Sequence, residues 1–71
     1  MDEQNLLKNF GFNLKMARMK LKMTQDDIVE HTGFSKSYIS NVESGKHNIS
    51  LVNALKFANL VNKDINDLII E

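Results

Sequence analysis

Between Thr24 and Ser35 the chain writes "TQDDIVEHTGFS", and these twelve residues leave little freedom in how the backbone around them can run. Thr24 followed three residues later by Asp27 is a T-x-x-D variant of the capping box. The acidic pair Asp26 and Asp27 also suits the positive end of a helix dipole. Gly33 is a natural left-handed C-terminal residue, so the helix that starts after Thr24 has only about eight residues. Ser35 caps another helix almost at once. Two short helices joined through three or four residues that include glycine meet at a steep angle, which is the geometry of a helix-turn-helix.

The rest of the chain reads as further helices around that pair. Leu7, Phe10, Leu14, Ala17 and Leu21 recur at steps of three and four and place one apolar stripe on a first helix, roughly 4–22. The second and third helices are expected at 25–32 and 36–44, the third stopped by Gly45. Ser50 caps a fourth at 51–61, with Leu51, Ala54, Leu55, Ala58 and Val61 as its inward face. Asp64 with Asp67 repeats the cap-and-acid pattern before a short fifth helix at 65–70. With no proline, no repeat and no low-complexity run, the expectation is a single all-α domain over residues 1–71, a compact arrangement of five helices. Met16, Met19 and Met23 are expected to fill gaps between helices.

Composition removes several functions. There is no cysteine, so disulfides and thiolate metal sites are absent, and His31 and His47 stand too far apart in the chain to suggest a metal site. No glycine-rich phosphate loop and no nucleophile grouping occurs, so neither an enzyme nor a cofactor is expected. No segment approaches the roughly eighteen consecutive apolar residues of a membrane span, and the start "MDEQNLLKNF" is acidic where a signal peptide is basic. A full-length cytoplasmic chain without a membrane or small-molecule partner is therefore expected. Nine Lys and Arg balance nine Asp and Glu, so the net charge is zero and by itself does not advertise nucleic-acid binding. The charge is distributed unevenly: Lys15 to Lys46 carry six positive and four negative charges, a net +2, while each end carries −1.

Within the third helix, Ser37, Ser40, Asn41 and Ser44 fall at i, i+3, i+4 and i+7 and make one continuous polar stripe, with Ile39 and Val42 on the opposite side. Lys36 and Tyr38 flank the stripe near the helix start. Hydroxyls, an amide and a lysine without a carboxylate are what base edges and phosphates require. A merely solvated helix makes poor use of serine, whose hydroxyl competes for backbone hydrogen bonds and favours caps over helix interiors. Glu43 lies nearer Ile39 than the stripe, so its sheltered carboxylate needs a partner, for which Arg18, the only arginine, is the best candidate. The alternative at this point is a Glu43 turned out to water and an Arg18 that binds phosphate.

Taken together, "MTQDDIVEHTGFSKSYISNVESGKHNIS" resembles the phage-repressor type of helix-turn-helix, the XRE family that includes the Cro and lambda-repressor DNA-binding domains. The resemblance runs from about Phe12 to Leu68. It is carried by Arg18, Thr24-Gln25, Gly33, Ser35, Tyr38 to Ser40, Glu43, Gly45 and Asn48 to Leu51. Within the family the chain is most similar to the controller proteins of restriction-modification systems, small dimeric regulators. The resemblance implies a lambda-repressor-like fold and a phosphate contact from Gln25. It also implies a major-groove face of Lys36, Ser37, Ser40, Asn41 and Ser44 beside the Ser35 cap, with Tyr38, Lys46 and His47 near the DNA backbone. Arg18 and Glu43 match the family's structural ion pair. Controller proteins commonly carry arginine where this chain has Lys36, Ser44 and His47, alanine where it has Val29, and an apolar residue where it has Thr32.

Ile65, Leu68, Ile69 and Ile70 exceed what a short terminal helix can bury beneath itself, so some of that surface, at Ile65, Leu68 and Ile69, is expected to pair with a second copy; the alternative is that it caps the monomer core. The expected function is a sequence-specific regulator of transcription that binds double-stranded DNA as a homodimer on a palindromic operator. The alternative is a helix-turn-helix fold used as a protein-interaction module, an adaptor or antitoxin-like partner without significant DNA affinity.

Overall fold

The structure, a computed structural model, describes residues 2–70 and contains five α-helices: α1 (Glu3–Lys20), α2 (Gln25–Thr32), α3 (Lys36–Glu43), α4 (Leu51–Leu60) and α5 (Ile65–Ile69). The described residues form no strand, so the fold is all-α. Each helix begins at a side chain that accepts a backbone N–H: Asp2, Thr24, Ser35, Ser50 and Asp64. At Thr24 the capping box is complete, with Asp27 N–H donating to Thr24 Oγ1 at 3.1 Å and Thr24 N–H to Asp27 Oδ2 at 2.8 Å. Asp64 caps α5 through the Asn66 N–H, and Asp67 adds only its charge to the first turn.

The helix ends differ from the sequence expectation in an informative way. α1 stops at Lys20 and α4 at Leu60 because Lys22 (φ 60°) and Asn62 (φ 57°) take the left-handed conformation. The Lys22 N–H then donates to Met19 O and the Met23 N–H to Arg18 O, and Asn62 and Lys63 repeat the pair on Asn59 and Ala58. These are Schellman closures made without glycine. α3 closes in the same manner through Gly45 (φ 75°), whose N–H donates to Val42 O while the Lys46 N–H donates to Asn41 O.

The core is built from Phe10, Leu14 and Ala17 of α1, Ile28 of α2, Ile39 and Val42 of α3, Ala54, Phe57, Ala58 of α4 with Val61 behind it, and Leu68 of α5. Phe57, fully buried, stands where the α4 reading put no special weight. The inward stripe of α4 is Ala54, Phe57, Ala58 and Val61, whereas Leu51 and Leu55, expected inside, are exposed. Asn53, Lys56 and Asn59 make a polar stripe at i, i+3 and i+6, but the apolar arc that remains is wider than one buried face, so Leu51 and Leu55 at one border stay outside while Phe57 at the other is buried. Leu21 is exposed because it lies past the last turn of α1, and Met16 and Met19 sit on the solvent side of that helix rather than between helices; of the three internal methionines only Met23 packs on the core.

Two contacts set the position of α3 and α5. Gly11, buried in α1, lets the α3 backbone approach so closely that a Cβ on it would lie 2.7 Å from Glu43 O and nearer still to Val42 O. Asn13, two residues on and on the other side of α1, donates its amide to Leu68 O at 3.0 Å and to Ile70 O at 2.7 Å, satisfying carbonyls at the end of α5 that the short helix leaves open.

Candidate nucleic-acid interface

The turn between α2 and α3 is held by its own residues. Gly33 adopts φ 78° and its N–H donates to Val29 O at 2.8 Å. Thr32 donates its hydroxyl to Ile28 O at 2.7 Å and accepts from the Phe34 N–H at 3.1 Å, so a threonine here stitches the turn that an apolar residue would only pack. Phe34 turns inward, its ring centroid 5.1 Å from that of Tyr38 and 5.3 Å from that of Phe57. The sequence reading gave Phe34 no role; an aromatic residue directly after a turn glycine was the signal for it.

α3 is fastened along its inner side at several points. Ile39 and Val42 are buried, and Glu43 accepts Arg18 Nε at 2.6 Å and Nη2 at 3.0 Å, a bidentate pair whose two side chains are 10% and 4% exposed. Arg18 Nη1 donates to Met23 O at 2.8 Å, and Gln25 Nε2 donates to Glu43 Oε1 at 3.0 Å. Three donors on one carboxylate leave it little capacity to repel an anion outside. The arginine is thereby turned inward, and one N–H of the Gln25 amide is committed to the protein. Its second N–H and the α2 terminus stay available.

Tyr38 is half-buried against Phe34 and Phe57, with His47 edge-on at 5.0 Å, and its hydroxyl accepts from Asn53 Nδ2 at 3.1 Å. The phenolic proton is left to donate outward. Ser35 uses an oxygen lone pair to cap the Tyr38 N–H at 3.0 Å and also keeps its proton. Ser44 lies at the C-cap rather than inside α3, and its hydroxyl donates to Asn41 O at 3.1 Å, so only lone pairs face outward there.

The surface that remains open is Lys36, Ser37 and Ser40, with Asn41 half-buried at its edge and Lys46 and His47 exposed in the loop beyond. Gln25 and Asp26 at the start of α2 lie alongside. Lys36 Nζ is 3.3 Å from Asp26 Oδ1 in a solvent-exposed pair, a contact the sequence reading did not anticipate. Of the three side chains proposed to meet a second copy, Leu68 is 1% exposed and belongs to the core, which removes it from any outward contact; Ile65 and Ile69 are partly buried at the edge. Among the described residues no group of histidines and acids has the arrangement of a metal site, and no helix is long and apolar enough to cross a membrane.

Residues 5–70 match the family model of the helix-turn-helix domain. An HTH-type transcriptional regulator of Archaeoglobus fulgidus is 37% identical over 57 residues, covering 80% of this chain and 80% of that protein. A hypothetical transcription factor of Neisseria meningitidis serogroup B is 32% identical over 57 residues, which is 80% of this chain, and the match spans only 54% of the Neisseria protein. Among solved structures, the restriction-modification controller protein C.AhdI from Aeromonas hydrophila superposes with a TM-score of 0.79 at 34% identity, over 87% of this chain and 94% of its own. The Neisseria transcription factor NHTF superposes with a TM-score of 0.85 at 27% identity, over 99% of this chain and 80% of its own. The chain belongs to the helix-turn-helix domain family, among transcriptional regulators rather than enzymes.

Proposed function

We propose that this protein is a sequence-specific regulator of transcription that acts in the cytoplasm by placing α3 in the major groove of double-stranded DNA. The observation that carries the reading is the division of α3. Its one carboxylate, Glu43, is bound inward by Arg18 and Gln25, while Lys36, Ser37, Ser40 and Asn41 are offered outward. Ser37, Ser40 and Asn41 supply donors and acceptors to base edges, and Lys36 a charge-assisted donor to guanine or to phosphate. Gln25, Ser35, Tyr38, Lys46 and His47 surround that face and reach the DNA backbone, with Ser44 contributing as an acceptor.

A homodimer on a palindromic operator completes the proposal, as in the controller proteins that the chain resembles. The apolar face for it comprises Leu51, Val52 and Leu55 of α4, with Leu6 of α1 and Ile70 after α5, all exposed, and Ile65 and Ile69 beside them. Two α3 helices then enter successive major grooves about 34 Å apart. Bound dimers block polymerase or, suitably placed, recruit it. The test is selection of sites from random duplexes followed by affinity measurements across salt. With about three or four phosphates neutralised per protomer, log K falls with log salt at a slope of about −5 to −7. A flat salt response, or no enriched site, refutes the proposal and leaves the interaction-module reading in its place.

A further inference from the structure

We propose that the outer face of α1 is a docking surface for an acidic, apolar helical segment of a partner protein. On the helical wheel Phe12, Met16 and Met19 fall at i, i+4 and i+7, on the side opposite the buried Phe10, Leu14 and Ala17. They are 61%, 48% and 52% exposed, which makes a continuous apolar ridge where a helix of this kind carries polar residues. The core closes over Phe57 without it, and the ridge is distinct from the exposed Leu51, Val52 and Leu55 of α4.

Charge decides what the surface fits. Residues 4–25 contain no aspartate or glutamate, and besides the internally paired Arg18 and Lys8, which packs against Gly45, they carry Lys15, Lys20 and Lys22. Beside the ridge an open groove of about 610 Å³ is walled by Met16, Met19 and Lys20 of α1 and by Lys63 and Asp67 from the far side, two lysines to one acid. A segment with leucines along one side and carboxylates along its borders meets unbranched, adaptable thioethers in the middle and ammonium groups at the rim. A concave seat suits such a segment better than a flat lipid surface. The ridge lies on α1, so its test stands whether or not α3 reads DNA.

The probes are a synthetic amphipathic peptide with leucines at helical spacing bordered by glutamates, the same peptide with lysines in place of the glutamates, and vesicles of phosphatidylglycerol with phosphatidylcholine. Binding to the full chain is followed by anisotropy and by the ε-methyl signals of ¹³C-labelled methionine, with Met23, packed on the core, as internal reference. The expected result is saturable binding of the glutamate peptide with shifts at Met16 and Met19 and none at Met23. Met16→Glu with Met19→Glu weakens that binding by about tenfold or more without changing the melting temperature, and Met16→Leu with Met19→Leu retains it. Equal binding of both peptides, shifts confined to other faces, binding of vesicles but not of peptide, concentration-dependent shifts of Met16 and Met19 without peptide, or no binding at all would each overturn the proposal.

Discussion

Replacing Gly11 by alanine sets two effects of opposite sign against each other. Gly11 sits inside α1, where alanine is favoured by about 0.8–1.0 kcal/mol on helix propensity alone, so a reading of local sequence expects stabilisation. The structure expects the reverse. A Cβ at Gly11 would lie 2.7 Å from Glu43 O and 2.9 Å from Glu43 C, with Val42 O closer still, whereas ordinary contact begins at 3.4 Å. The obstructing atoms are backbone and cannot rotate aside, so the C-terminal turn of α3 must withdraw by more than the 0.7 Å missing at Glu43 O, the difference between 3.4 and 2.7 Å, because Val42 O lies closer still. Overpacking of this kind costs about 1–3 kcal/mol or more, and here it also stretches the Arg18–Glu43 pair at the same turn. Less the propensity gain this leaves about 0–2 kcal/mol, and straining a buried pair whose rupture costs about 3–5 kcal/mol adds about 2, so the net expectation is a loss of about 2–4 kcal/mol, which lowers the melting temperature by roughly 10–30 °C in a domain this small. Urea and thermal unfolding by circular dichroism at one fixed protein concentration measure it. An unchanged or raised melting temperature refutes the claim that α1 and α3 touch through their backbones.

Arg18→Ala strands the Glu43 carboxylate in a sheltered place and is expected to cost about 3–5 kcal/mol, with Arg18→Ala/Glu43→Ala recovering part of the loss; thermal unfolding that does not move would remove the ion pair from the account. Asp26→Asn frees Lys36 and removes a carboxylate from the proposed DNA face. It is expected to tighten DNA binding by about 2–5-fold per protomer at low salt with little change in stability, and a weaker complex would contradict the placing of Lys36 on DNA. Leu51→Glu with Leu55→Glu is expected to leave helix content intact while shifting sedimentation from dimer to monomer; an unaltered dimer would move the interface elsewhere.

What the sequence made legible was what is decided locally. Thr24, Ser35 and Ser50 announce helix starts because a cap needs only its own side chain and an N–H two or three residues on. Gly33 announces a left-handed residue for the same reason. The pairing of Arg18 with Glu43 could be read because the wheel places Glu43 beside Ile39 and the chain has one arginine. Gly11 could not, since its reason lies in the backbone of a helix some thirty residues away. Phe57 was hidden by the width of the apolar arc of α4, which Asn53, Lys56 and Asn59 bound on one side only loosely, so that the wheel alone does not say which border is buried. The ends of α1 and α4 were overrun by one or two residues because Lys22 and Asn62 take a conformation that glycine would have advertised. Leu68 and Ile69 are adjacent and similar, and only packing separates the core residue from the edge residue.

The exposed face of α3 brings one lysine, so whether that face supplies the recognition is the question on which the functional proposal turns. The most direct measurement compares the affinity of the intact protein and of Lys36→Ala/Asn41→Ala for a site selected from random duplexes and for a scrambled duplex. DNA reading by α3 predicts that the double substitution folds normally and binds the selected site about 10–1,000-fold more weakly, approaching its affinity for the scrambled duplex. Retained discrimination between the two duplexes in a folded double variant would contradict it.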